Sequence, residues 1–418
     1  MRGWRGLAVI LLLLLSASTS FAAGFRLPEA GNKANAMGFA FTAQADNPSA
    51  IYYNPAGLTQ LEGNNIALGV TYVRENGNQF TGTTPLTGGA TVSETQEDLN
   101  FFIPNLYYTH TSKARGVAFG VGVFAPFGLG QEYKNANTSI FRNQVTEIDL
   151  KTVVINPTIA FDINEFLSVG LGIDYLWGDV QYDKTPVLGP GAQFKTNLEG
   201  SGDAWGYNFG ILVKATKNVK VGFSYRSGFD LDIKDADFRA SDNTAPLPVP
   251  MGTTRASGVL GLPATAAFGV AYTYERFTIE ADLDWTFWSS YQRLQIKNDF
   301  PAYSSTQAKN WNNVCAFRTG VEYRVTDPLA LRAGFSHDPT PAPTETLGPE
   351  LPDADRKYYT VGAGYKVGRW TIDVSGIYID KKDRDVSNLR NEGGLPVGQN
   401  GTWEGDAWLA GLDIAYRF

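Results

Sequence analysis

The chain has 418 residues, of which 18% are charged, and a formal net charge of −7 at pH 7, which argues against both a charge-driven disordered chain and a nucleic-acid-binding protein. Its mean hydropathy of −0.19 argues against a bundle of membrane-spanning helices. Glycine (45 residues) and aromatic residues (13% of the chain) are abundant, which favours an all-β protein with many turns.

The first 22 residues have the pattern of a secretory signal peptide. Arg2 and Arg5 precede an apolar run at residues 7–15, and small residues lead up to Ala22. The run is too short to cross a bilayer, which takes about 20 residues, although an uncleaved membrane anchor is the alternative. We therefore predict a signal peptide at residues 1–22, with cleavage after Ala22.

Residues 23–62 lack the alternation of a β-strand. Alanine is frequent in this segment and glycines interrupt it, which predicts a compact, partly helical structure. Two Asn-Pro pairs, Asn47-Pro48 and Asn54-Pro55, each predict the start of a tight local structure. Proline suits the first turn of a helix, and asparagine is a good N-cap.

From residue 63 onward, apolar and aromatic residues recur at every second position for about ten residues, and a turn follows each run. Trp205, Tyr207 and Phe209, for example, alternate with Gly206 and Asn208. A period of two is typical of a β-strand. The pattern predicts fourteen strands, which begin near Asn64, Leu99, Arg115, Gln144, Leu167, Asp203, Val219, Gly261, Phe277, Trp311, Leu329, Asp355, Arg369 and Glu404.

The connections between these strands alternate between short turns and long loops. This pattern is typical of an outer-membrane barrel with short periplasmic turns and long extracellular loops. A soluble β-sandwich or propeller is the alternative, but it would not need two classes of loop length. We therefore predict an all-β, fourteen-stranded antiparallel transmembrane barrel over residues 63–418, in the outer membrane of a Gram-negative bacterium. Because the strand number is even, both ends of the barrel face the periplasm.

A barrel of fourteen strands is too wide for its own side chains to fill, so we expect residues 23–62 to plug the lumen. Asn54-Pro55-Ala56 lies in this plug, and after cleavage the mature chain would begin with Ala-Gly-Phe, of which the third residue is Phe25. In these features the chain resembles the FadL/TodX family of outer-membrane transporters for long-chain fatty acids and other hydrophobic compounds.

The resemblance implies a mechanism without a cofactor or catalysis. Extracellular loops would capture a hydrophobic small molecule, which passes to an inner pocket at Phe25. A rearrangement of the plug's N-terminus would then open a lateral exit near the third strand. Asn54, Pro55 and Ala56 would hold the plug. The partners implied are the cargo and outer-membrane lipids, and we expect a monomer, because each plug closes its own barrel.

Prolines and glycines around the third strand are candidates for the lateral gap. Pro104 and Pro157 stand in the two flanking strands, and proline removes a hydrogen-bond donor from the ladder. The third strand contains Gly116, Gly120 and Gly122, and glycine in a strand often marks a bend. Ordinary barrel curvature is the alternative.

The long loop after the third strand starts with aromatic and apolar residues. Phe124, Phe127 and Leu129 suit the capture of an apolar ligand if they are exposed at the extracellular edge. The alternative is an aromatic girdle at the membrane interface.

Charges of both signs are predicted to face the lumen. Arg318 and Arg332 could bind a ligand carboxylate through two hydrogen bonds. The alternative, which the pattern favours, is that most of these charges pair with one another or hold the plug. The inward set is Arg226, Glu280, Asp282, Asp284, Arg318, Glu322, Arg332, Asp373 and Asp413.

Two other functions remain open. A porin for small polar solutes is the first, although it would not need a plug. An outer-membrane hydrolase is the second, but it would have to use His110 or His337, the only histidines in the chain.

Cys315 is the single cysteine, so no internal disulfide or cysteine-rich metal site is expected. The sequence does not identify the cargo.

Overall fold

The structure is a computed structural model that describes residues 24–242, 244, 250–392 and 394–418. The predicted signal peptide at residues 1–22 lies outside the described residues. In the part of the chain that is described, no helix is long and apolar enough to cross a membrane.

Fourteen antiparallel strands form a closed barrel in the described part of the chain, as the alternation predicted. In chain order, β1 to β14 are Gly63–Glu75, Leu99–Ser112, Val117–Phe124 with Gly128–Glu132, Glu147–Asp162, Leu167–Lys184, Lys195–Lys214, Val219–Arg226 with Phe229–Ser241, Gly252–Leu262 with Thr265–Tyr274, Phe277–Thr286 with Arg293–Asn298, Val314–Arg324, Leu329–Asp338, Arg356–Val367, Trp370–Lys381 and Asp406–Arg417. Strand β1 pairs with both β2 and β14, which closes the wall.

Two strands begin well before their predicted starts. Strand β6 starts at Lys195 and not near Asp203, and β8 starts at Gly252 and not near Gly261. These outer extensions lie beyond the lipid-facing belt, so they lack the apolar stripe that marks the rest of each strand. Residues that were predicted to be loop therefore continue the wall at the end of the barrel that carries the long loops, called here the loop end.

The faces of the wall follow the predicted alternation. Apolar side chains such as Leu68, Phe119 and Leu171 are exposed on the outside. All nine charged residues predicted to face the lumen are buried. An apolar exterior and a polar interior are typical of a membrane barrel.

The plug, residues 24–62, fills the lumen with two helical turns, α1 (Asn32–Asn35) and α2 (Ala50–Tyr53), and a 3₁₀ turn at Pro55–Gln60. Glycines on the inner wall admit its backbone. Seven wall glycines lie so close to plug atoms that an added Cβ would come within 1.6–2.5 Å of its nearest neighbour. They are Gly170, Gly210, Gly222, Gly320, Gly334, Gly362 and Gly411. The plug therefore fits against bare wall backbone.

Short elements cover the loop end. A four-stranded sheet joins Arg384–Ser387, Asn400–Glu404, Gln79–Thr83 and Val92–Thr95, from the first and last long loops. The remaining short strands are Val187–Gly189, Ala192–Gln193, Ser305–Ala308, Arg390–Glu392 and Leu395–Val397, and the 3₁₀ turns on this side are Pro85–Thr87, Trp288–Ser290 and Pro301–Tyr303. The 3₁₀ turn Lys113–Arg115 lies in the short connection between β2 and β3, at the opposite end of the barrel.

Candidate functional site

The first residues of the plug lie against an aromatic cluster in the lumen. The ring centroid of Phe25 is 4.6 Å from that of Trp288, 5.5 Å from Tyr291 and 5.6 Å from Trp311, and all four side chains are buried. Gly24 has φ 67°, and an added Cβ would lie 2.5 Å from the Trp288 ring. Aromatic contacts of this kind fix the position of the N-terminal segment.

Strand β3 is interrupted at residues 125–127, and the N-terminal segment pairs with it there. The N–H of Leu27 donates a 2.8 Å hydrogen bond to the carbonyl of Pro126, and the carbonyl of Phe25 accepts one of 2.9 Å from the N–H of Gly128. The plug thus begins with an extended segment that is bridged to the interrupted wall strand at Arg26 and Phe127.

Strands β2 and β3 separate at this interruption. Their ladder ends at the pair Asn105 and Phe124, and beyond it the outer half of β3 pairs with β4. In the described part of the chain, residues 99–104 of β2 have no ladder partner in β3, and contact resumes where the N–H of Glu97 donates to the carbonyl of Glu132 at 2.9 Å. The wall therefore contains an unpaired section, called here the β2–β3 gap.

An apolar cluster lies behind the β2–β3 gap. Leu27 of the plug is buried in it together with Phe101 and Ile103 of β2 and Ala125 of the interruption. The inner face of the gap is therefore covered by a plug side chain, and movement of the N-terminal segment would uncover it.

An apolar cavity of about 80 Å³ lies beside Phe25. Aliphatic side chains from neighbouring strands line most of it: Leu129, Ile148, Leu150, Val180, Leu198 and Leu260. A second cavity, of about 340 Å³, lies among the loops and shares Tyr182, Leu198 and Ile296 with the first. Lys184 lines this loop cavity, with its ammonium 4.6 Å from the Tyr182 ring centroid. The two cavities therefore adjoin at Tyr182, Leu198 and Ile296.

A small polar chamber of about 40 Å³ lies near the same segment and contains Arg26, Arg226 and Arg318. Arg26 Nη1 is 2.9 Å from Asp284 Oδ1. Because a buried guanidinium group requires a charged partner, this ion pair holds the N-terminal segment against the wall. In the described residues, no group of three or more His, Cys, Asp and Glu side chains is placed to hold a metal ion.

The two arginines predicted to bind a ligand carboxylate already have carboxylate partners. Arg318 lies 3.0 Å from Asp284 and 3.3 Å from Asp338. Arg332 lies 2.7 Å from Glu322 and 2.7 Å from Asp373. This arrangement matches the alternative that these charges pair within the lumen.

Glu29 of the plug is buried without a partner. Neither of its carboxylate oxygens has a hydrogen bond in the described part of the protein. Burial raises the pKa of Glu29 to about 8, and the residue's own backbone N–H together with the charges of Arg318, Arg356 and Arg26 offsets only part of that rise. The side chain is therefore largely neutral at pH 7.

The Asn54-Pro55-Ala56 motif anchors the plug to the wall. The side-chain amide of Asn54 donates to the carbonyl of Thr42 (2.7 Å) and to that of Ile211 in β6 (3.0 Å). Its oxygen accepts from the N–H of Ala56 at 3.2 Å, and Pro55 starts the 3₁₀ turn. The motif joins the two halves of the plug and ties them to one strand.

The candidates for the lateral gap lie near the β2–β3 gap without forming the interruption. Pro104 immediately precedes Asn105, where the ladder of β2 with β3 ends, and Pro157 of β4 faces Val121. Gly120 and Gly122 lie within the intact ladder. A Cβ on either would meet the plug residue Ile51, and Gly116 lies in the turn before the strand. The signal that sequence reasoning missed is Pro126, which was assigned to the following loop.

The prediction of exposed capture residues is wrong. Phe124, Phe127 and Leu129 are all buried, because the chain turns into the lumen at the interruption and not out into the loop. Phe127 lies 6.4 Å from the Phe25 ring, and Leu129 lines the apolar cavity. Phe124 packs against Tyr52 of the plug, with the ring centroids 5.2 Å apart. All three belong to the inner site.

Comparison with known proteins finds one family across the chain. The family model described as outer membrane protein transport protein (OMPP1/FadL/TodX) matches residues 13–418. A long-chain fatty acid transport protein of Salmonella typhi is 25% identical, with 98% of each chain covered. A Pseudomonas aeruginosa FadL homologue has a similar structure, with a TM-score of 0.82 at 20% identity, covering 95% of this chain and 100% of that one. The Pseudomonas putida toluene transporter TodX gives a TM-score of 0.72 at 18% identity, with the same coverage.

Proposed function

Since the chain belongs to the OMPP1/FadL/TodX family of outer membrane transport proteins, we propose that it takes up hydrophobic small molecules by diffusion. It is a β-barrel of the outer membrane. The observation that carries the proposal is the apolar cavity beside Phe25. An aliphatic lining binds apolar molecules and offers polar solutes no hydrogen-bond partners. Relatives are named for long-chain fatty acids and for toluene, so the cargo class proposed spans acyl chains and aromatic hydrocarbons.

Entry takes place at the loop end. Cargo first occupies the loop cavity of about 340 Å³ and then moves past Tyr182 and Leu198 into the inner cavity. Lys184 at this level favours a molecule whose apolar chain ends in an acidic group. Since the inner cavity is only about 80 Å³, cargo larger than a few heavy atoms must displace Phe25.

Release follows from that displacement. Phe25 and Leu27 are two residues apart in a segment bonded to the interruption of β3, so moving Phe25 moves Leu27 away from the β2–β3 gap. Cargo then leaves sideways through the gap into the membrane. No energy source is required, because the molecule moves down its own gradient.

The first experiment is binding to the full chain purified in detergent. We expect mass spectrometry to detect fatty acids or other lipophiles that co-purify, and titration with cis-parinaric acid to saturate. Leu150→Gln places an amide in the cavity and should weaken binding about tenfold, since an unpaired buried amide costs about 1–3 kcal/mol. Leu389→Gln, at an exposed position, is the matched control. Steady large ion currents in planar bilayers, without lipophile binding, would instead identify a porin.

The lateral exit has its own test. Pro104 and Ala125 are the positions that would pair next if the β2–β3 ladder continued. A disulfide between Pro104→Cys and Ala125→Cys, in a Cys315→Ser background, should stop uptake into liposomes while binding persists. Unchanged uptake by the oxidised protein would exclude exit at this gap.

A further inference from the structure

The wall contains a second unpaired section, on a different face from the β2–β3 gap. The outer halves of β8 and β9 pair only at Ala256 with Asn298 and at Ser257 with Lys297. The ladder between the two strands resumes at Thr265, which pairs with Thr286. Between these points, residues 258–263 face residues 288–296 with no ladder pair in the described chain. We call this section the β8–β9 seam.

The two backbones are close along the seam. A Cβ added at Gly258 would lie 2.7 Å from the carbonyl oxygen of Gln295, and one at Gly261 would lie 2.8 Å from that of Ser290. The 3₁₀ turn at Trp288–Ser290 directs the Trp288 side chain into the cluster around Phe25. The same turn shifts the register of β9 relative to β8. Parting the seam would therefore separate no ladder pair of the described strands, unlike parting the intact ladder that starts at Thr265.

The seam is a single layer between two cavities. The apolar cavity lies on its inner side, and an outer groove of about 550 Å³ lies on the other. Four residues line both: Ser257, Gly258, Val259 and Gln295. A small separation at these residues would join the groove to the cavity.

The outer groove lies just above the lipid-facing belt. On β8 the exposed apolar residues Phe268, Val270 and Tyr272 mark the belt, and the seam lies further towards the loop end. Charged side chains of both signs line the groove there: Asp230, Asp232, Arg293 and Lys297. Charges at this height are placed for the polar end of a molecule held in the outer leaflet.

We propose that the β8–β9 seam is a second lateral portal, through which an acyl chain enters the apolar cavity from the outer leaflet without first passing through the loop cavity. The polar end of the molecule stays at the charged groove while its chain crosses between Gly258 and Gln295. This inference rests on the proposed function, since it concerns the same cavity and the same class of cargo.

A reversible lock tests the portal. The Cβ of Gly261→Cys would lie 3.9 Å from the Ser290 Cβ, a distance suited to a disulfide with Ser290→Cys in a Cys315→Ser background. The matched control joins the same two strands where their ladder is intact, through Thr273→Cys and Thr278→Cys, whose native hydroxyl oxygens are 3.0 Å apart. Both proteins are placed in lipid nanodiscs, and binding of cis-parinaric acid is followed by stopped-flow fluorescence.

We expect the oxidised seam lock to slow association and dissociation at least fivefold, with an unchanged Kd and full recovery on reduction, because a portal changes rates and not the bound state. The control disulfide should change neither rate. Equal rates in the locked and reduced protein, with normal Kd, would overturn the portal alone. Failure of every protein to bind the probe would overturn the proposed function and the portal with it.

A second variant needs no oxidation. Val259→Trp adds bulk at a residue that lines both cavities, and Val270→Trp adds the same bulk at a lipid-facing position of the same strand. We expect only the first to slow both rates. Equal rates in the two variants would also overturn the portal.

Discussion

The N–H of Leu27 donates a 2.8 Å hydrogen bond to the carbonyl of Pro126, which joins the first residues of the plug to the interruption of β3. Phe25 borders the apolar cavity, and Leu27 covers the β2–β3 gap. In the proposed mechanism, the cavity and the gap are therefore coupled through residues 25–27. A molecule that displaces Phe25 would then also move Leu27 away from the gap.

Replacing Phe25 by alanine should release this segment. Loss of a buried phenylalanine costs about 3–5 kcal/mol of packing, so the segment should open more often. We expect the Leu27 and Gly128 amides to exchange at least tenfold faster, measured by hydrogen–deuterium exchange mass spectrometry. Phe119→Ala, on the lipid-facing side of β3, is the control and should leave these amides unchanged. Equal exchange in both variants would contradict the coupling.

Adding a methyl group to the inner wall should displace the plug. At Gly210 an added Cβ would lie 2.1 Å from Asn54 Oδ1, and overpacking of this kind costs about 1–3 kcal/mol. We expect Gly210→Ala to lower the melting temperature and to raise ion conductance in planar bilayers. Gly376→Ala is the control, because its nearest atom is 3.8 Å away. The absence of any leak in Gly210→Ala would show that the plug tolerates the shift.

The sequence was informative where a feature depends on nearby residues. Alternation along a strand is local, so it predicted fourteen strands and the inward side of residues such as Asp284 and Arg318. The inward turn at Pro126 is not local, since its hydrogen-bond donor, Leu27, is far away in the sequence. Phe127 was misplaced for the same reason.

The wall glycines illustrate the same limit. Their number suggested turns and bends, but Gly210 and Gly170 are required by the close approach of Asn54 and Pro55. The alternation pattern shows that these positions face inwards. It does not show which plug atom each one meets, because that depends on how the plug folds.

Removing Arg318 should weaken the structure without changing which cargo is preferred. Its partners Asp284 and Asp338 would lose a buried counter-charge, which costs roughly 3–5 kcal/mol. We expect Arg318→Met to lower stability to denaturant while the affinity ratio of cis-parinaric acid to its methyl ester stays within twofold. Arg276→Met, at an exposed pair, is the control. A selective loss of acid binding would instead make Arg318 a carboxylate ligand, the possibility that the sequence pattern did not favour.

Glu29 should make the plug sensitive to pH. Burial raises its pKa to about 8, against about 4.3 for an unfolded glutamate. Between these values the folded plug retains a proton that the unfolded chain releases. The stability of the plug is therefore highest below about pH 4.3, and it falls as the pH rises towards 8.

Glu29→Gln removes this dependence, because glutamine carries no titrating proton. Below about pH 4 the difference in unfolding free energy between variant and wild type should not depend on pH. By pH 9 it should have shifted in favour of the variant by up to roughly 4–5 kcal/mol, since each unit of pKa shift corresponds to about 1.4 kcal/mol. Amide protection factors in residues 26–35, measured at pH 5, 7 and 9, provide the test. Glu62→Gln, at an exposed residue, should keep the wild-type profile. Parallel profiles for Glu29→Gln and wild type would mean that Glu29 is already ionised in the folded plug.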